Sequence, residues 1–289
     1  MARLLPGTMP APRYRTMGAA LGGGVYLLGG LDASGASSAD VYRIRPSTGQ
    51  VSLAGHLADP THGAAAVAVG DRVLVFGGAD VSPDDLVQAF DPATGTTAVI
   101  GHMPSPRADL VGAVVGGRVF LLGGFTATAF VRDVWATPDG RSFGVAGELV
   151  RPERYPAVAV AGRTIYLFGG LVAGGEYNGT YSTAIQTFDT ATGQSKVIGA
   201  LPDPLAHARA ALIGGQIVVF GGWTPNGASS AILRFDPVSG TVTSAGVLPE
   251  ALADEAIGVI GNTAYFVSGL GAGGRPLVGI GSLTVTPSR

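Results

Sequence analysis

A glycine doublet closes a short apolar run again and again along this chain. It follows Val25-Tyr26-Leu27-Leu28 as Gly29-Gly30, and it recurs as Gly77-Gly78, Gly123-Gly124, Gly169-Gly170 and Gly221-Gly222. A sixth copy, Ala264-Tyr265-Phe266-Val267-Ser268-Gly269, has serine at the first glycine. Seven residues before each doublet stands another glycine: Gly22, Gly70, Gly116, Gly162, Gly214 and Gly261, with steps of 48, 46, 46, 52 and 47 residues. Such a period is the signature of a repeat architecture, in which each unit buries its faces against its neighbours. It accounts for much of the 47 glycines in 289 residues. The glycines have no three-residue period, which excludes collagen.

Within a unit, a run such as Ala65 to Val69 meets a turn at Gly70-Asp71-Arg72 and returns as Val73 to Phe76. Two apolar runs around a glycine turn make a β-hairpin. After the doublet and a variable loop comes a third strand, Val87 to Phe90, ending in Asp91-Pro92-Ala93-Thr94-Gly95. The same turn recurs at Asp189 to Gly193 and Asp236 to Gly240. Aspartate accepts backbone N–H bonds there, and glycine takes a positive φ without a clash. A weaker fourth strand leads to a proline corner such as Met103-Pro104-Ser105-Pro106-Arg107. Four short antiparallel strands, six times over, predict an all-β, six-bladed β-propeller. Counting from Gly261 through the last residue and on to Gly22 gives about one further period, 50 residues. The stretch Ala2 to Arg13 aligns with a fourth strand and corner. The expectation is one propeller over residues 1–289, its last blade closed by the N-terminal strand.

Composition removes several classes. There is no cysteine, hence no disulfide scaffold, thiolate metal site or cysteine nucleophile. The formal charge of −2, with Lys196 the only lysine, argues against a nucleic-acid partner. The longest apolar stretch, Met17 to Leu31, holds six glycines and falls short of the roughly 20 residues of a spanning helix. No membrane span is expected, and the alanine- and arginine-rich usage points to a bacterial protein displayed or secreted at the envelope.

The doublet after an apolar strand, the Asp-x-x-Thr-Gly turn and the Met/Leu-Pro-x-x-Arg corner together resemble kelch repeats, over essentially the whole chain. Two departures stand out: the usual fourth-strand tryptophan is missing, and the third blade carries the short turn Pro138-Asp139-Gly140. The resemblance implies a propeller, and a range of roles from protein-binding adaptors to sugar-acid isomerases and copper oxidases. Copper-radical chemistry of the galactose-oxidase kind needs a cysteine cross-linked to tyrosine, which this chain lacks.

In such a blade the corners and the loops between second and third strands emerge on one face, where loops on a rigid scaffold carry function. Aligned by the glycine column, the corners contribute Arg15, Gly63, Asp109, Tyr155, His207 and Asp254, with Arg13, His62, Arg107, Arg154 and Arg209 beside them. A mixed ring of this kind suits a polar or anionic ligand, or else it supplies salt bridges between blades. Tyr177 and Tyr181 in the long loop of blade four, with Trp223 in blade five, offer a stacking platform for a sugar or peptide, or pack behind their own loops. Asn178-Gly179-Thr180 is a glycosylation sequon, and Asp80, Asp84 and Asp85 are a loop of acids. His56 and His102 fall on outer strands, while His62 and His207 lie three blades apart, a poor arrangement for shared metal ligation.

No catalytic signature and no cofactor site is read from these residues. The expected function is a non-catalytic, monomeric binding propeller that takes a protein, peptide or glycan on its loop face. A sugar-acid isomerase or epimerase, using a corner acid and arginines, is the alternative, and a structural domain of a larger envelope protein is the third.

Overall fold

The computed structural model describes residues 1–174 and 179–286. Six four-stranded antiparallel sheets follow one another along the chain. Blade one contains Met17–Leu21, Gly24–Leu28, Asp40–Ile44 and Val51–His56, in that order from the innermost strand outward. Blades two to five repeat the pattern. Blade six takes Ala256–Ile260, Thr263–Leu270 and Pro276–Thr284 from the end of the chain and Ala2–Thr8 from its beginning. The N-terminal strand is thus the outermost strand of the last blade, pairing Ala2 with Leu283 and Leu4 with Gly281. The molecule is a six-bladed β-propeller closed as the repeat arithmetic predicts.

Each sheet is covered on both faces, so its second strand reads as a nearly continuous apolar run rather than as an alternating one. The core is correspondingly divided into six clusters, one in each seam between neighbouring blades. Phe76, Phe168 and Phe220 end second strands, Phe90, Phe188 and Phe235 lie on third strands, and all six are buried. This arrangement explains a mean hydropathy of +0.37 in a chain with no helix, among the described residues, long and apolar enough to cross a membrane.

The doublets join the blades. The second glycine of each donates its N–H to a corner carbonyl of the next blade: Gly30 to Thr61, Gly78 to Arg107, Gly124 to Glu153, Gly170 to Leu205, Gly222 to Leu252 and Gly269 to Arg13, at 2.7–2.9 Å. In blade six Ser268 holds the first position at φ 60°. Its hydroxyl accepts from the Arg13 amide at 2.8 Å and donates to the Leu277 carbonyl at 2.7 Å. Those two bonds offset the cost of a left-handed serine.

Candidate functional site: the polar mouth of the channel

The innermost strands enclose a channel of about 380 Å³ lined by glycine, alanine, valine, leucine and isoleucine. It offers no titratable side chain. Chemistry is confined to the corner end, where one residue of each blade meets the axis.

The corner residues form a closed belt. Gly63 donates its N–H to the Arg15 carbonyl at 3.1 Å, Asp109 to Gly63 at 2.6 Å, Tyr155 to Asp109 at 3.1 Å, His207 to Tyr155 at 3.0 Å and Asp254 to His207 at 3.2 Å. The Thr16 amide reaches the Asp254 carbonyl at 3.4 Å and completes the circuit. All six column residues are left-handed: Arg15 at φ 49°, Gly63 at 61°, Asp109 at 59°, Tyr155 at 54°, His207 at 56° and Asp254 at 60°. Such a backbone costs a side-chain-bearing residue about 1–2 kcal/mol. Glycine would satisfy the belt at no cost, as Gly63 does. Strained residues that persist in this way concentrate at functional sites.

Their side chains form a connected arc. Arg154 is paired with the Asp109 carboxylate and donates to the Tyr155 hydroxyl at 3.1 Å. The Tyr155 ring stacks on His207 with centroids 3.7 Å apart. His207 Nδ1 is 2.7 Å from Asp254 Oδ1, and the Trp223 indole N–H donates to Asp254 Oδ2 at 3.3 Å. Burial opposes ionisation of Asp254, but the charge and hydrogen bond of His207, with Arg15 and Arg209, hold its carboxyl below the ordinary value. Arg15 lies 5.5 Å from the centre of the Tyr155 ring. Burial works against its charge too, yet Tyr155, Asp254 and Asp109 outweigh that and raise its pKa. Among the described residues the Arg15 guanidinium has no hydrogen-bond or ion-pair partner. Arg209 reaches from blade five to the Glu255 carbonyl at 2.7 Å and the Thr16 carbonyl at 3.2 Å, clasping the last blade to the first. Arg15, Asp109, Tyr155, Arg209 and Asp254 together line a cavity of about 40 Å³.

The other expected site residues are distributed as follows. Tyr181 and Trp223 stand on two small hairpins that rise after the doublets, Leu171–Val172 with Thr180–Tyr181 and Trp223–Thr224 with Gly227–Ala228. Burial, then the charge of Asp254, raises the Tyr181 pKa. His62 Nδ1 is 2.9 Å from the Ser37 hydroxyl; burial and the Arg15 charge lower its pKa. Tyr177 and Asn178 of the sequon lie outside the described residues.

Arg13 and Arg107 depart from the expected ring. Arg13 is bound to Asp40 at 2.8 Å, and Arg107 to Asp133 at 2.7 Å with its guanidinium 3.7 Å from the centre of the Trp135 ring. Arg107 is 1% exposed. Both stand two residues before the belt position, and their carboxylate partners begin third strands, so they serve the blades rather than the mouth. Asp84 caps the Leu86 amide at 2.9 Å and Asp85 pairs with His102 at 2.8 Å, so these acids are spent locally. Sequence reasoning passed over Glu153 and Glu255. Both are fully buried, and neither carboxylate has a hydrogen-bond partner among the described residues. Desolvation pushes Glu153 up to about 8 and Glu255 to about 7.

Comparison with known proteins agrees with this architecture. The kelch motif profile matches residues 60–96 and 204–246, in blades two and five. A solved structure described as "Structure of YjhT" superposes with a TM-score of 0.82, covering 98% of this chain and 97% of that one at 17% identity. That likeness shows the fold. No curated protein sequence matches. The chain is a six-bladed propeller in which blades two and five match the kelch motif.

Proposed function

We propose that the corner face is a ligand-binding surface whose centre, the polar mouth, recognises a carboxylate carried by a peptide, protein or glycan. The observation that carries this reading is Arg15, whose donors are unspent beside a stacked aromatic pair. Three arginines, Arg15, Arg154 and Arg209, stand against two carboxylates, Asp109 and Asp254, while burial pushes Glu255 up to about 7. The balance favours an anion. Tyr181 and Trp223 supply flat apolar surface beside it, the usual complement to a few placed polar groups.

The test is a panel of acidic and neutral peptides and glycans on an array, followed by calorimetry of the hits. Acidic members should bind, their methyl esters should not, and Arg15→Ala should weaken binding at least tenfold, since a charged hydrogen bond contributes about 1.5–3 kcal/mol. Binding that ignores both esterification and Arg15→Ala would overturn the reading.

A further inference from the structure

The residue after the glycine doublet is aromatic in two blades, Phe125 in blade three and Trp223 in blade five. Around Phe125 the chain builds a second cavity, outside the channel. Thr126 donates its N–H to the Ala129 carbonyl at 3.0 Å and Val131 to the Gly124 carbonyl at 3.1 Å, which folds the loop back on itself. Phe130 thereby meets Phe125 edge-on, with ring centroids 5.8 Å apart and planes at 90°. Both rings are only half-buried. The blade-four loop comes up against them at Gly179, where a Cβ would lie 2.9 Å from the Phe130 ring. Between the two loops is a cavity of about 440 Å³, within the range of small-molecule sites. Ala129, Ala173, Gly174 and Gly179 give it small walls, and among the described residues its polar side chains are Arg154 and Thr128.

Arg154 is the member that points to a ligand. It is 7% exposed, and its guanidinium carbon lies 4.7 Å from the centre of the Phe125 ring and 5.4 Å from that of Phe130. Its Nη2 serves Asp109 and the Tyr155 hydroxyl. Nε is buried without a hydrogen-bond partner. Asp109 is also a shared counter-ion, since the same carboxylate stabilises the charge of Arg15. A buried guanidinium with a donor to spare and half a counter-ion favours an anionic acceptor. Two half-exposed phenyl rings favour a flat apolar group. A sugar ring suits the cavity poorly, because no acid or amide side chain lines it, among the described residues, to accept from the hydroxyls.

We propose that this cavity is a ligand site, separate from the mouth, that takes an aromatic carboxylate, its ring against Phe125 and Phe130 and its acid group on Arg154. Such a pair of groups, a few bonds apart, is presented by a free arylalkanoic acid and by the end of a peptide whose last residue is aromatic. The site stands on Arg154 and the two rings rather than on Arg15, so it does not depend on the reading of the mouth. Each half sets one preference: the rings select aromatic over saturated, and Arg154 selects acid over ester.

Calorimetry tests the site with phenylpropionate, its methyl ester, cyclohexylpropionate, and acetyl-Gly-Gly-Phe with a free or an amidated end. The free acids should bind roughly tenfold or more tighter than the ester and the amide. The phenyl acid should exceed the cyclohexyl acid by about threefold or more, and Phe130→Leu should erase that difference. Ala173→Leu, at an exposed wall position, should fill the cavity and abolish binding while leaving the melting temperature unchanged. The double variant Arg154→Met, Asp109→Asn removes the buried cation and its partner together, and should erase the preference for acid over ester. Arg15→Ala should leave these affinities within about threefold, the range of an indirect effect through Asp109. Tighter binding of the peptide than of phenylpropionate assigns the site to chain ends, and the reverse assigns it to free acids. Binding indifferent to esterification or to Ala173→Leu overturns the proposal. Binding lost in Arg15→Ala but kept in Ala173→Leu belongs to the mouth, so this proposal falls and carboxylate recognition there stands. If none of these acids binds while the array yields acidic ligands, this proposal falls alone. A blank array with binding that Ala173→Leu abolishes removes the reading of the mouth and leaves this site.

Discussion

Glu153 and Glu255 are the residues at which this fold is most sensitive to pH. Exposed in an unfolded chain, each ionises near the ordinary 4.5; buried here without partners, they hold their protons to about 8 and about 7. Below the unfolded value both states are protonated, and the native state keeps its full stability. As pH rises, the unfolded chain releases protons that the folded one retains, so stability falls until the buried groups ionise as well. The melting temperature should therefore drop between pH 5 and pH 9. The double variant Glu153→Gln, Glu255→Gln should remove at least half of that drop, as read by calorimetry across the range. A profile unchanged by the double substitution would mean that other groups control it.

Among the elements, the doublet loop is where sequence dictates structure most tightly. A Cβ at Gly169 would overlap the Leu205 carbonyl oxygen of the next blade, and the residue is left-handed at φ 65°. Gly22 shares the positive φ, at 56°, but faces open space. Gly169→Ala should thus cost well over 2 kcal/mol in urea unfolding, through backbone collision as well as strain, and Gly22→Ala about 1 kcal/mol. Equal losses would show that the seam yields. The same contrast explains what the chain's text discloses. Positions where a Cβ would collide hold glycine in at least five of the six blades, so the repeats, the blade count and the closing strand were readable directly. The mouth was readable only in part. Arg107 and Arg154 both look like corner arginines, but one stands two residues before the belt and the other one residue before it. That single step turns the first toward Asp133 and the second toward Asp109. Neither the strained backbone of Tyr155 and His207 nor the unpartnered glutamates has any signature in spacing or composition.

The whole molecule depends on how its ring is shut. Blade six is the only blade made from both ends of the chain, and Ala2–Thr8 covers the edge of Pro276–Thr284. Removing residues 1–8 should expose that edge, lower the melting temperature by roughly 10 °C or more, and promote association through strand pairing. A peptide of the missing residues should reverse both effects, as followed by calorimetry and size-exclusion chromatography; a truncated chain that melts normally would place closure elsewhere, in the Arg209 clasp above all. The belt of amides around the mouth has a consequence of another kind. Its geometry is carried by backbone atoms alone, so each blade holds out a socket whose position is independent of the side chain occupying it. Five sockets are filled, and the sixth is left bare at Gly63, where a Cβ would come 2.6 Å from the Asp109 carboxylate. The vacancy is therefore the space in which Asp109 lies, and the chemistry of the mouth is written at six addresses that can be changed singly without redrawing the ring.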